Sequence, residues 1–271
     1  MAGPPRGDEI AVGEEILGLG SGSRVWRVGD TIRRSRGPWS DTTAALLHHL
    51  ASRGFAAAPR HLGVDELGRD ILSTVPGRPV PTLRGDEQLV QVASLVRDFH
   101  DASEDFVPPA DAVWRVQAPP LPAASGPARV IHRDVGPWNL LEADDVIVGL
   151  VDWDLAGPGR LIEDFAYLAW HFVPLHGERM GDGTAGPPDA DRPRRLRLLA
   201  DTYGLDAEDR RNLMAEVLAM EVRQAARIAD EAFAGDRSSA GLWRDGRFTE
   251  ATGRSLTWLA EHRDRLAVAL L

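Results

Sequence analysis

Apolar and polar positions change their period several times along the chain. Over the first 35 residues the apolar ones fall in short runs, EEILGLG, RVWRVG and TIRRS, broken by GSGS and GD. Runs of that length between Gly, Ser and Asp breaks predict three strands in a meander. From Asp41, DTTAALLHHLASRGF spaces its apolar residues as a helix does and closes on Gly54, so a helix follows the third strand. RHLGVDE and RDILSTVPG return to strand length before a proline-containing turn at Val75 to Pro81. At Asp86 the helical period resumes: in EQLVQVASLVRDFHDA, residues Leu89, Val92, Leu95 and Phe99 form one stripe.

Further on, VIHRDVGPWNLL and VIVGLVDWDL predict two short strands, and EDFAYLAWHF a buried helix. Helical patterns then cover roughly 192–203, 208–234 and 255–270. Residues 106–128 and 177–193 are rich in Pro, Ala and Gly and read as irregular. Strands gathered around one helix, followed by a mostly helical remainder, predict an α+β fold of two lobes. The expected lobes are residues 1–78, small and β-rich, and 79–271, larger and mostly helical. Eight tryptophans, Trp138, Trp153 and Trp170 among them, invite an aromatic substrate box, but most sit beside apolar residues in strands and a helix, so the core is their expected place.

Composition narrows the chemistry. All 31 basic residues are arginine, because the chain contains no lysine. A P-loop of the Gly-Lys-Ser/Thr type and Schiff-base catalysis are thereby excluded. The absence of cysteine excludes disulfides, thiolate metal sites and cysteine nucleophiles. A net charge of −10 argues against a nucleic-acid partner, since phosphate backbones demand a basic face. No run approaches the roughly 18 apolar residues that a membrane span needs, and MAGPPRGDEI lacks a secretory pattern, so the expected location is cytoplasmic, with no membrane partner.

The chemistry is concentrated between residues 130 and 154. His132-Arg133-Asp134 stands five positions ahead of Asn139, and V-D-W-D, containing Asp152 and Asp154, follows the next apolar run. Phosphoryl transfer asks a protein for one carboxylate to orient or deprotonate a hydroxyl and for oxygen ligands to Mg²⁺. Asp134, Asn139 and Asp152 supply that set, in the order of the protein-kinase catalytic signature. Each element alone is a turn or a strand end; their spacing and context together carry the reading.

VIHRDVGPWNLL, GLVDWDLAGPG and EDFAYLAW together resemble the aminoglycoside phosphotransferase family, small-molecule kinases related to protein kinases. The resemblance runs from LGLGSGSRVWRV through STVPG to the C-terminal helices. It implies a bilobal protein-kinase-like fold with ATP between the lobes, Asp134 as catalytic base, Asn139 and Asp152 as Mg²⁺ ligands, and Asp164 bracing the catalytic loop. Asp154 would be a further metal or bracing acid. It further implies that Gly20, Ser21, Gly22 and Ser23 lie over the phosphates, and that the Ser73 carbonyl and Val75 amide meet the adenine edge. Where the family has a strand lysine, this chain offers Arg33, with Arg34 expected on the opposite face. The following helix contains no glutamate to pair with it; Asp41 is the nearest carboxylate.

Only eleven residues separate Asp152 from Asp164 and no A-P-E triplet follows, which leaves no room for an activation loop and points to a small acceptor. Residues 100–173 carry 12 acids against 4 arginines. Either Glu104, Asp105, Asp111, Glu142, Asp144 and Asp145 line a cleft selecting a cationic acceptor such as an aminoglycoside, or they form a solvated face. Two functions follow: an ATP- and Mg²⁺-dependent kinase acting on a small-molecule hydroxyl, or a kinase-fold immunity protein that binds nucleotide or toxin with little turnover.

Overall fold

The structure is a computed structural model that describes residues 14–19, 24–80, 83, 85–116, 129–176, 190–244 and 246–271. Five antiparallel strands, β1 (Glu14–Leu19), β2 (Arg24–Val28), β3 (Thr31–Arg34), β4 (His61–Val64) and β5 (Asp70–Ser73), form a sheet in the order β1-β2-β3-β5-β4. Between β3 and β4 the chain forms helix α1 (Ser40–Ser52), which buries Ala44, Leu47 and Leu50 at intervals of three. That spacing puts all three on one face.

The chain leaves this sheet at residues 74–77. Gly77, with φ at +117°, makes the exit; a Cβ there would lie 2.7 Å from the Glu142 carbonyl oxygen. Only glycine combines that dihedral with so close an approach. The next two residues form β6 (Arg78–Pro79), which pairs with β8 (Leu140–Ala143), and β8 pairs in turn with β9 (Val146–Leu150). Arg78 and Pro79 are thus paired with β8 and not with the five-stranded sheet.

The second lobe is built on α2 (Asp86–Ala102), whose Leu89, Val92, Val96 and Phe99 are fully buried. They pack with Phe165, Leu168 and Phe172 of α3 (Leu161–Phe172) and with Leu196 and Leu199 of α4 (Arg192–Tyr203). Each such side chain contributes about 1.5–3 kcal/mol by leaving water. Strands β7 (Arg129–Ile131) and β10 (Gly157–Gly159) pair antiparallel and bring the segment before H-R-D and the segment after V-D-W-D side by side. Gly204, at φ +77°, ends α4, and Asp206 caps α5 (Ala207–Phe233) by accepting from the amides of Glu208 and Asp209, both at 2.8 Å.

Helix α6 (Arg237–Arg244) is absent from the sequence reading, and α7 (Arg247–Leu270) begins at Arg247 rather than 255. Gly241, Gly246 and Gly253 interrupt the pattern there, and packing of α7 on α4 and α5 overrides the weak local propensity. Among the described residues no helix is long and apolar enough to cross a membrane. The architecture is that of two lobes, a β-sheet with one helix and a mostly helical body.

Candidate active site

The loop from His132 to Asn139 leaves β7 and ends in a 3-10 turn at Pro137–Asn139. Arg133 holds a left-handed φ of +67°, a conformation that costs energy unless its surroundings impose it. Asp164, fully buried on α3, imposes it: its two carboxylate oxygens accept the amides of His132 and Arg133 at 2.6 and 2.7 Å. His100 Nε2 donates to Asp164 at 3.1 Å, and its Nδ1 lies 2.7 Å from the Tyr203 hydroxyl. Burial works against ionisation of Asp164, yet the hydrogen bond from His100, the nearby imidazoles and the backbone donor hold its pKa below the usual carboxylate value.

Asp134 projects from this braced loop with its carboxylate held from several sides. Oδ1 accepts from the Tyr167 hydroxyl at 2.8 Å; Oδ2 accepts from Asn139 Nδ2 at 2.8 Å and from Trp138 Nε1 at 3.3 Å. Asn139 Nδ2 also lies 2.9 Å from the Asp134 carbonyl. Its amide nitrogen is thus committed, which leaves its oxygen for a cation. Burial and the adjacent Asp134 charge push the Tyr167 phenol well above its ordinary pKa, so it stays a donor.

The Asn139 carbonyl accepts the Val151 amide at 2.9 Å, which ties this loop to the residue before Asp152. Asp152 sits at φ +65°, turning the chain sharply as Trp153 enters the core against Phe99 and His132. Asp152 Oδ1 and Asp154 Oδ2 lie 2.5 and 2.8 Å from Arg34 Nη2. Burial would lower the pKa of Arg34, but the two carboxylates outweigh it and hold it above its ordinary value. Arg34 therefore reaches across from the sheet to both acids of V-D-W-D.

This corrects the expected facing of β3. The alternation of Arg33 and Arg34 holds, but Arg33 points the other way: its Nη1 donates to Thr31 at 2.6 Å and its Nε lies 3.4 Å from Asp65. Period-two alternation separates two faces without saying which one meets the second lobe. The carboxylate expected near the strand cation, Asp41, pairs instead with Arg36.

Three of the acids weighed as a cation-selecting lining are paired with groups of the chain. Glu142, its side chain buried, pairs with Gln88 and Arg78; Glu104 pairs with Arg129; Asp105 faces His49 and Arg53. Asp144 and Asp145 form the turn between β8 and β9, and Asp111 lies in an exposed loop. Trp138 also departs from expectation: Trp153 is core, but Trp138 is 51% exposed.

Ser73 ends β5, its amide bonded to the Arg60 carbonyl, and Val75 follows in the linker, packed over Gly149. Gly20, Ser21, Gly22 and Ser23 lie outside the described residues. Tyr167 and Arg34 are the site residues that sequence reasoning missed. Tyr167 had a legible signal, since it stands three positions after Asp164 and so shares the face that meets the loop.

Among the described residues no cluster of three His, Asp or Glu side chains is placed to hold a metal ion by itself. A pair of oxygen donors, Asn139 and Asp152, suits Mg²⁺, which is commonly held by one or two protein groups with substrate phosphates and water completing its shell.

The fold is shared with small-molecule kinases. A choline/ethanolamine kinase family protein from Mesorhizobium loti aligns with a TM-score of 0.58 at 17% identity, covering 91% of this chain and 92% of that one. Aminoglycoside 2'-phosphotransferase-IIIa, solved with GDP, aligns with a TM-score of 0.56 at 15% identity, covering 94% and 95%. Residues 73–199 match the family APH, the phosphotransferase enzyme family. A trifolitoxin immunity protein from Rhizobium leguminosarum bv. trifolii is 35% identical over 267 residues, 95% of this chain and 99% of that protein. The chain belongs to the phosphotransferase enzyme family.

Proposed function

We propose that this chain moves the γ-phosphoryl group of ATP to a hydroxyl on a small toxic molecule, and that the modification disarms it. The observation that carries this reading is the Asp134 carboxylate, held by Tyr167, Asn139 and Trp138 on a loop braced by Asp164. A carboxylate fixed in that way can accept the proton of an acceptor hydroxyl as its oxygen attacks phosphorus. Asn139 and Asp152 would hold Mg²⁺, which when bound neutralises charge on the phosphates. Arg34, freed from Asp152, would grip phosphate oxygens through its planar fork. The Ser73 carbonyl and Val75 amide would take the adenine edge, and Gly20, Ser21, Gly22 and Ser23 would cover the phosphates. The name of the immunity relative supports a toxin or antibiotic as acceptor.

A second reading is favoured by one observation. Arg34 occupies both acids of V-D-W-D, and neither a lysine nor an α1 glutamate is present to draw it away. On that reading the protein confers immunity by binding, with little turnover. Incubating purified protein with ATP or GTP, Mg²⁺ and a panel of hydroxylated antibiotics separates the two. Nucleoside diphosphate release matched by one added phosphoryl group on the antibiotic supports transfer, and tight antibiotic binding without either supports sequestration.

A further inference from the structure

Trp138 is an unusual residue to find beside a catalytic carboxylate. Half of its surface is open to solvent, yet its ring does not hang free. The indole N–H donates to Asp134 Oδ2 at 3.3 Å, and the ring lies over Gly136 so closely that a Cβ there would come within 2.5 Å of it. The His171 ring meets it edge to face, with centroids 5.0 Å apart and planes at 89°. His171 is itself packed against Tyr167 and Trp170, both at 4.6 Å. An indole that is exposed and at the same time pinned by a hydrogen bond, a glycine and an aromatic edge is a preorganised surface, because the entropy of fixing it is already lost before a ligand arrives.

From this geometry we infer that Trp138 is the acceptor-binding platform, and that it takes a planar, uncharged aromatic or heteroaromatic group whose attached hydroxyl then faces Asp134. The inference rests on the reading of Asp134 as the base, and adds to it the class of acceptor. The geometry favours a flat partner over a caged cation: beside Trp138, the Tyr167 ring is buried and packed against His171, so it adds no open wall to a cage. His171, its Nε2 buried and without a partner, adds no charge, because burial and His176 hold its pKa at about 3.

Three small alcohols test the platform: 3-(2-hydroxyethyl)indole, 2-cyclohexylethanol and choline. Binding is read by saturation-transfer NMR in the presence of ADP and Mg²⁺, and transfer by phosphorylated alcohol formed from ATP. The wild type is expected to bind the indole alcohol about tenfold more tightly than the cyclohexyl one, the upper range for aromatic stacking. Trp138→Ala should abolish that preference and Trp138→Phe should keep part of it. Equal binding of the indole and cyclohexyl alcohols, binding of neither, or tighter binding of choline overturns the platform. A preference that survives in Trp138→Ala overturns it too. If the preference is present and lost in Trp138→Ala, but no phosphate moves, the platform stands and the transfer reading falls. If phosphate moves to all three alike in wild type and variants, transfer stands and the platform falls.

Discussion

Asp134 accepts from Tyr167, Asn139 and Trp138 at once, so its carboxylate is fixed in orientation before any acceptor arrives. Asp134→Asn keeps the shape and removes the base; turnover should fall on the order of 10² or more while nucleotide affinity barely changes. Isothermal titration with ADP beside steady-state kinetics measures both, and turnover near that of wild type would remove Asp134 from the chemistry. Arg34→Ala should weaken nucleotide binding more than Arg33→Ala, because only Arg34 faces the acids of the cleft. The same change takes a competing cation off Asp152, so Mn²⁺ without nucleotide should bind the Arg34→Ala variant more tightly than wild type in an electron paramagnetic resonance titration. His171 carries a pH signature. Its pKa of about 3 against an ordinary 6.5 means that the folded chain stays neutral there while the unfolded chain takes up a proton below about 6.5. Stability therefore falls as pH drops from 6.5 towards 3, and His171→Phe should lose less of its urea midpoint than wild type between about pH 7 and about pH 5. Parallel losses in the two proteins would move that proton uptake to another group.

At the scale of elements, α3 is the part that assembles the site. Asp164, Tyr167 and His171 stand at intervals of three and four, so one face of a single helix braces the loop from His132 to Asn139, donates to Asp134 and backs Trp138. The stripe was legible as a buried helix, and the role of Asp164 came from the family resemblance. What Tyr167 touches was legible only by joining the expected role of Asp164 to the spacing of three, because period alone does not say which neighbour a buried face meets. The same ambiguity reversed Arg33 and Arg34 on β3. For Trp138, apolar neighbours in sequence predicted core, but Pro137 and Asn139 sit in a 3-10 turn that aims the indole outward. Helix α5 offers a local stability test: Asp206 satisfies two backbone amides, so Asp206→Ala should cost about 1 kcal/mol and lower the thermal midpoint by a few degrees, as read by calorimetry. An unchanged midpoint would mean that solvent caps the helix equally well.

For the whole molecule, the two-lobed plan could be read from where the strand runs stop and the helical periods begin, and the excess of negative charge between residues 100 and 173 was counted correctly. Counting could not say what that charge meets: Glu104, Asp105 and Glu142 are each committed to a cation of their own. The join between the lobes has a mechanical meaning. Away from the linker, the Leu150 amide donates to the Ala57 carbonyl at 2.8 Å and Arg34 of β3 pairs with Asp152 and Asp154, so the lobes are sewn together by more than the chain that joins them. A protease cut within residues 74–77 would therefore sever the chain without parting the molecule, and the two fragments should travel through a sizing column as one particle.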